Sequence, residues 1–312
     1  MAGRLQGNPP ASPTPDLPAG VQPALADLLA LRRPAAGLPA LARTARTRQR
    51  GLFSAPPKGR GMEYAESRPY QPGDDVRALD WRVTARTGRP HTKLFQEERE
   101  RPVYLALDLR PGMAFATRGV FKSVLAARTA ALIAWKTVAD HDRVGGVLMG
   151  PAGIVDLPPA RGQLGAMRFL KGCVEVAAQV PTAPLALHAL SGRLARLVRP
   201  GSLVFVLGDF RDLDRSAEAD FARIALHSDV VFLACEDPFE RALPAFDASL
   251  RVTHGGLSRT VALGSEEQSR RYAGQATARD ARLEGFTRQH RVGLLRLATD
   301  ADPLASLVKH YA

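Results

Sequence analysis

An α/β fold with a doubly wound, mainly parallel sheet is predicted by three features of this chain. Short apolar runs, Val103 to Asp108, Leu203 to Leu207 and Val230 to Cys235, alternate with longer segments of helical periodicity. Asp108 ends the first of these runs and Asp209 follows the second, the position where parallel strands open onto a crevice. With 312 residues and 45% hydrophobic content, the chain can bury the core of one large domain plus appendages.

The elements follow in order. Residues 1–23 hold six prolines with Gly, Ser and Thr and no periodicity, the composition of a disordered tail. In a basic segment spanning residues 24–60, Leu25, Leu28, Leu29 and Leu31, then Leu38, Leu41 and Ala42, predict two short amphipathic helices broken at Pro34. Such a pair cannot bury its own stripe, so it must dock on the body or on a partner. Residues 61–100 form a charged insert. Pro69, the Gln71-Pro72-Gly73-Asp74 turn and Thr87-Gly88-Arg89-Pro90 argue against helix there and for a small β-rich hairpin. The α/β domain occupies residues 101–312. Its expected order is strand Val103 to Asp108, helix Phe121 to Ala139, strand Arg143 to Met149, and a short returning strand, Ile154 to Leu157. Helices Gly162 to Ala177 and Leu185 to Arg199, strand Leu203 to Leu207, helix Ser216 to His227 and strand Val230 to Cys235 come next. A hairpin from Ser249 to Leu263, helix Gln268 to His290, strand Val292 to Leu297 and a last helix near Pro303 to His310 complete it.

Composition narrows the setting. No apolar run reaches membrane-spanning length, since the best candidate, Val124 to Trp135, is cut by Arg128. The opening MAGRLQGNPPASPTPD lacks the apolar core of a signal peptide, and Cys173 and Cys235 sit among apolar neighbours as buried hydrophobes rather than a disulfide. A soluble protein of the reducing cytoplasm is the expectation. The net charge of +12 is concentrated: Met1 to Met62 carries nine Lys or Arg against two Asp. Phe53 is its one aromatic, so base stacking is unsupported and a solvated basic surface is the simpler reading.

The densest signature runs from Gly61 to Glu98. Glu63, Tyr64, Arg68, Tyr70, Gly73, Asp74, Asp75, Arg77, Asp80, Trp81, Ala85, Arg86 and Lys93 stand there in an order and spacing that resembles the bacterial family called domain of unknown function 58. Asp108, the helix containing Lys122, the Gly208-Asp209-Phe210 turn and Asp237-Pro238 extend the resemblance from about Arg50 to the C-terminus. Members of that family look like von Willebrand factor A domains and resemble partners of MoxR-type AAA+ ATPases. The resemblance therefore implies a Rossmann-like von Willebrand A fold and an interaction role.

The von Willebrand A arrangement implied by the resemblance holds a divalent metal with Asp-x-Ser-x-Ser after the first strand, a Thr from a second loop and an Asp from a third. Mg²⁺ wants six oxygens, one left for a partner's carboxylate. Here the first loop reads Asp108-Leu109-Arg110-Pro111-Gly112, so both hydroxyls are missing and a permanent cation stands in their place. Asp108, Thr182 and Asp209 are the positions a metal would use. The expectation is instead a cofactor-free cluster in which Arg110 forks onto Asp108 and Asp209 and can grip an acidic partner residue. In the insert, Glu63, Asp74, Asp75 and Asp80 interleave with Arg68, Arg77, Arg82 and Arg86, a density suited to ion pairs and turn caps. Trp81 is expected to anchor the insert on the core, Asp80 beside it to be buried, and Asp75 and Arg77 to face a partner. The seven histidines lack metal-ligand spacing, and Gly59-Arg60-Gly61 and Gly145-Gly146 are too short to cradle a phosphate.

The resulting expectation is a non-enzymatic adaptor or substrate specifier for a MoxR-type AAA+ ATPase, with other von Willebrand A proteins as further partners. Two alternatives stand beside it: a nucleic-acid-binding protein using the basic N-terminal arm, and a hydrolase using the carboxylates of residues 63–80.

Overall fold

The computed structural model describes residues 20–41, 62–97, 101–182, 184–241, 249–254, 257–262 and 266–312. In chain order the helices and strands are α1 (Leu25–Ala30), α2 (Arg32–Ala35), β1 (Met62–Pro69), α3 (Trp81–Thr87), β2 (His91–Glu97), β3 (Pro102–Asp108), α4 (Lys122–Ala139), β4 (Arg143–Met149) and β5 (Ile154–Arg161). Then come α5 (Gly162–Ala177), α6 (Leu187–Leu197), β6 (Leu203–Gly208), α7 (Arg215–Ala225), β7 (Asp229–Glu236), β8 (Ser249–His254), β9 (Leu257–Ala262), α8 (Glu266–His290), β10 (Gly293–Ala298) and α9 (Pro303–Tyr311).

The apolar runs build a six-stranded sheet in the order β10-β7-β6-β3-β4-β5, parallel throughout except for β5, which returns antiparallel on β4. Side chains alternate along each strand, so β3 and β6 feed two cores at once. Val103, Leu105, Leu107, Leu203, Phe205 and Leu207 join a layer with α4, α5 and α9, whereas Tyr104, Ala106, Val204 and Val206 join one with α6, α7 and α8. Phe232 of β7 stacks on Phe210 and Phe286 in that second layer, at 4.5 and 5.8 Å between ring centres. This helix–sheet–helix arrangement is compatible with a Rossmann-like fold. After β3 the chain moves outward to β4 and β5, then crosses back to place β6 on the other side of β3, so the direction of winding reverses between β3 and β6. Their C-terminal ends open the crevice where such sheets place function.

β4 approaches β3 closely because residue 146 is glycine. A Cβ there would lie 1.8 Å from the Leu105 carbonyl oxygen, which is backbone and cannot rotate away. Gly146→Ala is expected to lower stability by about 1–3 kcal/mol or more in urea denaturation, from overpacking between two central strands. Cys173 and Cys235 are buried, unpaired thiols, and burial pushes both far above the usual thiol range.

The N-terminal pair docks on the body. Leu28 is fully buried, its carbonyl accepts the Trp135 indole N–H at 3.0 Å, and the Arg32 guanidinium lies 5.6 Å over the Trp135 ring. The helix break falls at Leu31 rather than Pro34, which sits in the four residues of α2, where a first turn tolerates proline. Leu38 and Leu41 are buried without being helical. The expected tail already holds on at its end, where the Gly20 carbonyl accepts Phe121 N–H at 2.9 Å. Residues 1–19 and the basic stretch 42–61 lie outside the described residues.

The insert is the expected hairpin, β1 paired antiparallel with β2, but it also carries a helix that its turn residues argued against. Asp80 caps α3 by accepting from Arg82 and Val83 N–H, both at 3.2 Å, and Gly88 closes it with a left-handed φ of 69°. Trp81 is not an anchor. It is 71% exposed, because the first helical residue after the cap points away from β2. Asp80 is buried and takes the Ser67 hydroxyl at 2.7 Å, while Asp74 takes Arg68 at 2.6 Å. The Ser67 hydrogen bond holds the Asp80 carboxyl below the usual carboxylate range, and the Arg68 hydrogen bond does the same for Asp74. The stability these groups supply is therefore complete above the unfolded value of about 3.9 and is lost as pH falls through their lower native values. Asp80→Ala is expected to lower the melting temperature by several degrees at neutral pH and to flatten its acid dependence. Asp75→Ala, which removes only an acceptor for Arg77 N–H, is expected to leave both nearly unchanged.

Candidate functional site

Asp108 ends β3 and Gly208-Asp209 ends β6, and the two strands are neighbours, so their carboxylates reach the same crevice. Gly208 permits this closeness: a Cβ there would lie 3.2 Å from that of Asp108. The structure does not join the two aspartates through Arg110. Arg110 forks onto Asp108, Nε to Oδ1 at 2.9 Å and Nη2 to Oδ2 at 2.6 Å. It forks again onto Asp212, Nη1 to Oδ2 at 2.7 Å and Nη2 to Oδ1 at 2.9 Å, and Nη1 also donates to the Leu185 carbonyl at 2.6 Å. All five guanidinium N–H groups are thereby used. The expectation that Arg110 grips an acidic partner is corrected, because it has no donor left to offer.

Asp209 instead pairs with Lys122, the first residue of α4. The Lys122 side chain is fully buried, with its Nζ 2.9 Å from Asp209 and 2.8 Å from Glu240. A cation at a helix N-terminus opposes the helix dipole, so these two carboxylates are what make its burial tolerable. Arg211 closes the group from the rim, Nη2 to Glu240 at 2.6 Å and Nε 3.5 Å from Asp209. Asp237, buried at the end of β7, accepts the Thr117 N–H and hydroxyl, the Thr299 hydroxyl and Phe239 N–H, tying the loops before α4 and after β10 together.

Burial raises the Asp108 carboxyl, with the Arg110 fork opposing it. Burial also raises Asp212, but there the Arg110 fork and Leu187 N–H prevail and hold it low. The same order applies at Asp237, where the threonine and backbone donors outweigh burial.

Of the positions a divalent metal would use, Asp108 is taken by Arg110 and Asp209 by Lys122. Thr182 is exposed, and among the described residues its one hydrogen bond is from its backbone N–H to the Pro151 carbonyl at 3.3 Å, so it does not join the cluster. Gly112 faces Asp209 without a side chain, its built Cβ 3.9 Å from Oδ2. Among the described residues no group of three or more His, Cys, Asp or Glu is arranged to hold a metal ion. The insert carboxylates Asp74, Asp75 and Asp80 engage separate partners rather than each other, and the Glu63 side chain lies outside the described residues. Arg68 pairs with Asp74, Tyr70 N–H closes the hairpin on the Pro90 carbonyl, and Gly73 takes a φ of 105° in the turn. Arg77 and Arg86 are exposed.

Sequence reasoning missed Asp212, Glu240 and Arg211, and used Lys122 only as a marker. Signals existed for two. Lys122 is the one charge opening a long apolar helix, and Asp237-Pro238-Phe239-Glu240 has capping-box spacing, which the structure forms.

Comparison with known proteins adds a family. The profile described as "Protein of unknown function DUF58" matches residues 66–284. The chain belongs to the DUF58 family. Uncharacterized proteins of Mycobacterium bovis and Mycobacterium tuberculosis are each 30% identical to this DUF58 chain over 259 residues, covering 81% of it and 80% of their own length. Among solved structures, conserved hypothetical protein BatB from Bacteroides thetaiotaomicron aligns with a TM-score of 0.41 and 16% identity, over 66% of this chain and 93% of that one. An aerotolerance-related membrane protein from Bacteroides fragilis aligns with a TM-score of 0.40 and 15% identity, over 67% and 96%. An uncharacterized membrane spanning protein from Vibrio fischeri aligns with a TM-score of 0.23 and 14% identity, over 68% and 96%. Two of these structures are named as membrane proteins, and the cytoplasmic location expected from the sequence is not retained. Among the described residues no helix of this DUF58 protein is long and apolar enough to cross a membrane.

Proposed function

We propose that this DUF58 protein is a non-enzymatic, von Willebrand A-like interaction module that presents the C-terminal edge of its sheet to a MoxR-type AAA+ ATPase, as adaptor or substrate specifier. The observation carrying this reading is the internal neutralisation of the crevice: Asp108, Asp209 and Glu240 each already face a side-chain cation. Carboxylates so engaged are poor general bases, and a rigid charged edge suits docking better than turnover. The group left for a partner is Arg211, 42% exposed, whose Nη1 has no partner among the described residues. Asp212, 39% exposed, offers the complementary charge beside it.

The test is calorimetric binding of the full chain to a purified MoxR-type AAA+ ATPase from the same organism. Arg211→Glu is expected to weaken the complex about tenfold or more, with a salt-dependent association rate. Normal binding by that variant, together with a hydrolytic activity lost on changing Asp74 or Asp80, would overturn the reading.

A further inference from the structure

The insert separates its charges in a way its sequence conceals. Residues 62–97 hold six acidic and six basic side chains, close to one for one along the chain. Folded, the three aspartates turn to local partners: Asp74 binds Arg68, Gln71 N–H and the Thr92 hydroxyl, Asp75 accepts Arg77 N–H, and Asp80 is a buried cap. Of these arginines Arg68 alone finds a carboxylate among the described residues. Arg77, Arg82, Arg86 and Arg89 are exposed and have no acidic partner among the described residues.

Helix α3 orders this surplus. Thr84 faces the hairpin, its hydroxyl accepting His91 N–H at 3.0 Å, and Val83 is half-buried beside it. The outward half is Trp81, Arg82, Ala85 and Arg86, two adjacent stripes one turn long. Trp81 and, in the preceding turn, Val76 are 71% and 61% exposed, large apolar groups left in water between arginines.

We propose that this face, Trp81 with Val76 framed by Arg77, Arg82 and Arg86, is a docking surface for an acidic protein segment that also carries an apolar side chain. The inference goes beyond the strand-end reading and does not depend on it. Charge complementarity selects the occupant: guanidinium forks match carboxylates, and an exposed tryptophan beside arginines on one helix has the composition of an interface hot spot. A single exposed aromatic gives no stacking platform for successive bases, and two apolar side chains are too few to seat in a bilayer interface.

Tryptophan emission reports the face directly, since the chain has two tryptophans and Trp135 is buried. The probe is a synthetic peptide of Asp and Glu interleaved with Leu and Phe, titrated into the full chain. It is expected to shield Trp81 from acrylamide, more strongly at low salt, while a counterpart with Lys for its acids does not. By anisotropy of the labelled peptide, Arg82→Glu with Arg86→Glu, and separately Trp81→Ala, are expected to weaken binding about tenfold or more. Trp81→Phe should keep most of it, and all variants should melt as the wild type does. Equal binding of the acidic and basic peptides, or affinity indifferent to the charge reversal, overturns the proposal. So does shielding of Trp81 by phosphatidylserine vesicles or by oligothymidine where the acidic peptide gives none, which would make the face a reader of phosphate.

Discussion

Lys122→Met is expected to cost the fold about 3–5 kcal/mol, measured by urea denaturation at neutral pH. Methionine fills the space of the lysine stem, so the loss is electrostatic. Asp209 and Glu240, each 10% exposed or less, would lose their buried counter-ion and keep only Arg211 at the rim. The diagnostic is rescue. Adding Asp209→Asn and Glu240→Gln removes the uncompensated charges and is expected to recover most of the loss, since a buried ion pair replaced as a unit is often near neutral. A single variant that loses less than about 1 kcal/mol would mean that Lys122 behaves as a surface pair does.

Arg110→Ala is expected to be of similar size, about 3–5 kcal/mol, and to carry a pH signature of its own. Burial already raises the Asp108 carboxyl, and Arg110 is what opposes it. Without the guanidinium the native value climbs further while the unfolded value stays near about 3.9. A group whose native pKa is raised contributes stability below its unfolded value and loses it as pH rises through the native one. The variant should therefore lose more stability than the wild type as pH rises above about 4, steepening the slope that burial of Asp108 already gives the wild type. Asp108→Asn in the same background should abolish that slope. If the slope persists, its source is another carboxyl and the central place given to Asp108 is wrong.

The local sequence determined the elements and the strand ends. β4 and α5 run as their apolar periods and flanking turns predict, and most other boundaries move by one or two residues, because these signals lie within a few residues of the element they define. For the same reason Asp108 and Asp209 could be assigned to the crevice before any contact was known. What failed depended on side chains choosing among partners distant in the chain. Arg110 had Asp209 within plausible reach but closes on Asp212, 102 residues away, leaving Asp209 to Lys122, 87 residues away. Trp81 was read as an anchor because a large aromatic gains most from burial, yet the Asp80 cap commits α3 to an orientation that turns it outward. Among the described residues the insert's alternating charges gave one ion pair, Arg68 with Asp74, and two caps, Asp75 and Asp80, and left its other arginines outside. Composition and period are sums over neighbours and survive in one dimension. Which of several like charges meets which cation is a competition among near-equal energies, and only the tertiary packing of β3, β6 and α4 decides it.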